Sequence, residues 1–154
     1  MKKIFTLLAL TISFSMNAQM SDNSANNNTA GTYAVAMGYL TTASGNQSTA
    51  MGGSTTASGN QSTAMGDNTT ASGTYAVAMG YFTTASGNQS TAMGRSTTAS
   101  GSRSTAMGYN TTASGAVSTA MGFGTTASDY ASLVIGQYNS SGYSATSVSS
   151  FSTS

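Results

Sequence analysis

The stretch STAMGGSTTASGNQ, residues 48–61, is followed at residue 62 by STAMG again. That interval of fourteen residues sets the architecture. Met-Gly pairs stand at 37–38, 51–52, 65–66, 79–80, 93–94, 107–108 and 121–122, and Ile135-Gly136 continues the series. Ala-Ser-Gly stands at 43–45, 57–59, 71–73, 85–87, 99–101 and 113–115, at the same interval. Eight units run from Thr29 to Ser140 with no insertion or deletion. A fixed period without indels marks a stacked repeat in which each unit meets only its neighbours. A longer period overlies it: the segment beginning at Gly31 recurs almost unchanged at Gly73, three units on. Duplication of a three-unit block fits a stacked array.

The unit is not helical. All but three of the 18 glycines fall in the two columns just named, between β-branched threonines. Both residue types disfavour helix. The unit reads as two short strands, residues 48–51 and 55–58, each closed by a glycine that permits a corner. This predicts an all-β fold, a parallel β-roll or β-solenoid of eight 14-residue coils. Successive coils pair about 4.8 Å apart, which makes a rod roughly 35–40 Å tall. Asp129 occupies a glycine column, and the reading there is that Asp tolerates the left-handed region.

Strand alternation sorts the side chains. Ser48, Ala50 and Gly52 share one face; Thr49 and Met51 share the other. Two assignments stay open: the Ala column inside the coil with the Met column outside, or the reverse. In either case the column Met37, Met51, Met65, Met79, Met93, Met107, Met121 and Ile135 is read as packing, either inside the coil or as the candidate seam between chains; with Met inside, the Ala column would make the close contact between chains. An outward Met stripe would be sticky unless covered by other rods, and Met adapts well to such contacts. No metal site is expected, because soft-metal sites recruit Cys or His as well.

Composition excludes several classes. The chain has 154 residues, is 5% charged, and has no Cys, His or Pro. Residues 1–18 show the basic, apolar and small-residue order of a secretory signal. Without them, Arg95 and Arg103 face Asp22, Asp67 and Asp129. No basic stripe remains to neutralise phosphates, so nucleic acid is not an expected partner. A chain without Cys has no disulfide framework. Residues 19–28 read as a disordered lead-in, 29–140 as the repeat domain, and 141–154 as a Ser-rich tail, degenerate or truncated.

With these columns in place, S-x-A-M-G followed by x-x-T-x-A-S-G resembles the head repeat of trimeric autotransporter adhesins, the YadA-like or haemagglutinin-type head. That family's phrase is close to S-V-A-I-G-x-x-A-x-A-S-G. The resemblance implies a left-handed roll, three chains packed side by side, and display at the surface of a Gram-negative bacterium for attachment to a host or cell-surface protein or glycan. Collagen-binding heads of the family use N-S-V-A-I-G; Gln47-Ser48-Thr49-Ala50-Met51-Gly52 departs from it, so collagen binding is not carried over. Relatives carry a coiled-coil stalk and a membrane anchor, and neither pattern is read in this sequence; membrane attachment would come only through such parts.

No catalytic constellation, cofactor site or metal site is read from these residues, and the chain is expected not to be an enzyme. The position after each Met-Gly varies, and its aromatic members Tyr39, Tyr81, Tyr109 and Phe123 are the candidate exposed binding positions. The sequons at Asn46, Asn60 and Asn88 are read as inert. Two rival readings use the same architecture: a secreted structural fibre, or an ice-binding solenoid whose Thr columns order water. The second is weakened because Thr55 and Thr56 are adjacent, so only one can point out.

Overall fold

A computed structural model describes residues 27–141. The expected signal segment, most of the lead-in and all of the tail after residue 141 lie outside them. The described chain winds into stacked coils with two parallel sheets back to back. One sheet holds eight five-residue strands, from Val35–Tyr39 to Leu133–Gln137. The other holds nine two-residue strands, from Asn28–Thr29 to Ser140–Ser141. The expected all-β parallel solenoid is therefore what the chain forms. The first strand of each coil runs further than expected, through the Met-Gly pair, as in Thr49–Gly53. The second is shorter, as in Thr56–Ala57.

Register follows the sequence period without slippage. Thr49 pairs with Thr63, Ala50 with Ala64, Met51 with Met65 and Gly52 with Gly66. On the other sheet Thr56 pairs with Thr70 and Ala57 with Ala71. Every coil thus lays equivalent positions over one another, most of them filled by the same residue, and backbone groups bond from coil to coil. Thr49 N–H donates to the Ser62 carbonyl at 2.9 Å, and Thr42 N–H to that of Thr55 at 2.8 Å. The corners are paired too: Gln47 N–H donates to the Thr32 carbonyl, and Ser54 N–H to the Tyr39 carbonyl, both at 2.7 Å. This answers how a chain with so little apolar bulk satisfies its buried backbone.

The structure chooses between the two side-chain assignments. The Ala columns are fully buried, from Ala36 to Ala120 on the long strands and from Ala43 to Ala127 on the short ones. The Met column points outward and is half-buried or exposed. Beside the alanines, and Val134 in the last coil, the interior takes the Ser48 and Thr55 columns, and its largest fully buried side chains are threonines. Two sheets joined by short corners, 54–55 and 58–62 in one coil, keep the interior this narrow. Eleven of these inward hydroxyls, among them Thr83 Oγ1 and Ser90 Oγ, have no hydrogen-bond partner. Ser118 shows the local alternative, donating to the Gly115 carbonyl at 2.7 Å.

The two glycine columns have different causes. In the Met-Gly column the backbone has positive φ, 126° at Gly80, and a side chain would strike the backbone of the next coil. In the Ala-Ser-Gly column φ is not positive, and the close approach alone excludes a side chain. The expectation that Asp129 exploits the left-handed region is therefore corrected. Asp129 has no positive φ. In this column a side chain meets the residue fourteen positions later, and for Asp129 that position lies beyond the described coils.

Candidate functional site: one edge and two faces

The long-strand sheet turns three columns outward. Thr49 and its equivalents form the first, Met51 and its equivalents the second, and the variable residue after Met-Gly the third, by strand alternation. The first two are mostly half-buried, and the stripe continues to exposed Leu133 and Ile135 in the last coil. A single chain thus carries an unbroken apolar band along its length.

The variable column forms the rim of that band at a corner. Tyr39 is 61% exposed, and Tyr81, Tyr109 and Phe123 are each about 40% exposed. The structure links three of these four through a residue that sequence reasoning passed over. The Arg95 guanidinium carbon lies 5.5 Å from the ring centre of Tyr81 and 5.4 Å from that of Tyr109. Tyr109 stacks on Phe123 at 4.9 Å with the rings 8° from parallel, and Phe123 meets Tyr138 edge-on at 5.2 Å. Tyr81 also meets its neighbour Phe82 edge-on at 4.5 Å. The result is a spine from Tyr81 to Tyr138, built because the coil repeat matches the separation of stacked rings. Arg95 belongs to it as a cation between two ring faces. The period itself carried the signal: Arg95 stands in the column midway between Tyr81 and Tyr109. Tyr39 stands apart, since its next neighbours in the column are Gly53 and Asp67.

The short-strand sheet turns the second Thr of each pair outward. Thr42 to Thr126 form a half-buried column in register, and the exposed serines 44 to 128 lie beside it. The first Thr of each pair points inside.

Among the described residues no three or more His, Cys, Asp or Glu side chains cluster as a metal site would require. What the surface offers is shape, apolar contact and hydroxyl and amide chemistry, repeated each coil.

The YadA head domain repeat (2 copies) matches this chain in overlapping windows, 30–55, 43–69, 57–83, 71–97, 85–111, 99–125 and 113–139. No curated protein matches the chain closely enough to serve as a relative. The windows tile residues 30–139 and step with the structural coils, so the chain belongs to the family of YadA head domain repeats.

Proposed function

We propose that this chain is the head of a trimeric autotransporter-like adhesin, without enzymatic activity, displayed at the surface of a Gram-negative bacterium. Three copies pack along the Met face, and the outer surface attaches to a host or cell-surface protein or glycan. The observation that carries the reading is the outward Met column, in register from Met37 to Met121 and continued by Ile135. An apolar band of this length on a secreted rod calls for cover, and parallel identical rods supply it by laying the same column against itself. The repeat family supports the same reading.

The test is adhesion of beads coated with the purified chain to cultured cells and to immobilised matrix proteins and glycans. The reading expects retention above that of uncoated beads. Loss of retention on all surfaces would remove it.

A second reading rests on the Thr42–Thr126 column and its exposed serine neighbours, a regular hydroxyl face of the kind that orders water. It predicts thermal hysteresis in dilute solution, which an adhesin head does not need.

A further inference from the structure

The corner opposite the aromatic spine carries two columns of its own. Thr32, Asn46 and Asn60 form one; Tyr33, Gln47 and Gln61 form the other. Together they line a shallow, open groove of about 410 Å³. The spine and this groove differ in one decisive respect. In the spine, the Tyr109 ring faces are taken up by Arg95 and Phe123. Tyr33 is 73% exposed and has no ring or cation contact among the described residues. Its faces are free for a ligand.

The amides beside it are held in fixed orientation. Asn46 Oδ1 accepts from Thr32 N–H and Asn60 Oδ1 from Asn46 N–H, both at 3.1 Å. Those bonds fix which amide atom is oxygen and leave the Nδ2 donors for the groove. Gln61 Nε2 donates to Gln47 Oε1 at 2.7 Å, which leaves Gln47 as a donor and Gln61 Oε1 as an acceptor.

From this we infer that the groove of Tyr33, Asn46, Gln47, Asn60 and Gln61 binds a neutral sugar of an oligosaccharide. The inference rests on the adhesin reading and names its ligand class. A pyranose ring offers one C–H face to the Tyr33 ring and hydroxyls that both donate and accept. No groove residue is charged, and the electron-rich ring face repels anions. A peptide is a poorer fit, because the groove's other lining residues are Thr, Asn and Gln, which give an apolar side chain nothing to pack on. The block duplication repeats the site at Tyr75, which is 55% exposed, with Thr74 N–H donating to Asn88 Oδ1 at 3.1 Å. There Ser102 and Arg103 replace Asn60 and Gln61, so the Tyr75 site is the weaker of the two for a neutral ligand.

The experiment is calorimetric titration of the purified full chain with tetramers of N-acetylglucosamine, mannose, galactose and glucose, and with heparin tetrasaccharide as the anionic probe. Tyr33→Ala and Gln47→Ala are the variants; Ala131 already occupies the same backbone column, so Ala is compatible there. The expected result is binding of at least one neutral tetramer, insensitive to salt and weakened about tenfold or more by Tyr33→Ala. Binding that survives both variants, or binding of heparin alone, overturns the site while leaving adhesion intact. Cell and matrix adhesion with no neutral tetramer bound does the same. Absence of all adhesion overturns the adhesin reading itself.

Discussion

A side chain on Gly80 would run into the carbonyl oxygen of Gly94, its partner in the next coil. The same residue sits at φ 126°, a conformation that strains any L side chain. Gly80→Ala should therefore destabilise the rod by about 3 kcal/mol or more. Gly53→Ala should cost less than about 1 kcal/mol, because its side chain would meet only the end of Asp67, at 3.2 Å. Urea denaturation followed by circular dichroism separates the two. Equal losses would mean that the close approach is not what selects glycine.

The interior hydroxyls make the opposite prediction. Thr83 is fully buried and its Oγ1 has no partner. Leaving a buried polar group unpaired costs about 1–3 kcal/mol, and a methyl of the same shape removes that cost. Thr83→Val should raise stability by about 1 kcal/mol. A loss of stability would show that the hydroxyl finds a partner in solution.

Val117 occupies a left-handed backbone position, φ 63°, which β-branched residues rarely adopt. Gln47, Gln61 and Gln89 hold the same place in other coils. Val117→Asn should stabilise by about 1 kcal/mol, since Asn accepts that region more readily. An unchanged denaturation midpoint would show that the corner bonds, such as Val117 N–H to the Ser102 carbonyl at 2.8 Å, already absorb the strain.

These left-handed corners mark the limit of what the sequence made legible. The period, the two glycine columns and the parallel register followed from spacing, because identical coils have only one way to stack in register. The choice between Ala and Met inside did not follow, since alternation fixes which residues share a face and not which face is inner. The thinness of the coil decides it, by admitting nothing bulkier than Thr or Val. The positive φ at Tyr33, Leu40 and Phe82 left no trace in residue type. There the bonds between coils override local preference, and the aromatic and aliphatic side chains are carried outward. The same blindness hid Tyr33 and Tyr75 as candidates while the variable column after Met-Gly drew attention.

In the spine, Arg95 lies between two rings that stand two coils apart. An exposed cation–π contact contributes about 0.5–1 kcal/mol. Arg95→Ala should lower stability by about 1 kcal/mol and loosen Tyr81 and Tyr109, seen as faster fluorescence depolarisation of tyrosine. Indifference of both readouts would reduce the spine to a coincidence of spacing.

The central claim is that the outward Met column is a seam between copies of this chain. Its most direct test is the molar mass of the purified chain by light scattering after size exclusion, beside the variant Met79→Glu. Met79 lies in mid-column, in register with Met65 and Met93, and a buried carboxylate there would go unpaired. The account predicts the mass of three chains for the native protein and of one folded chain for the variant. A native protein that is a folded monomer, or a Met79→Glu protein that keeps the mass of three chains, would contradict it.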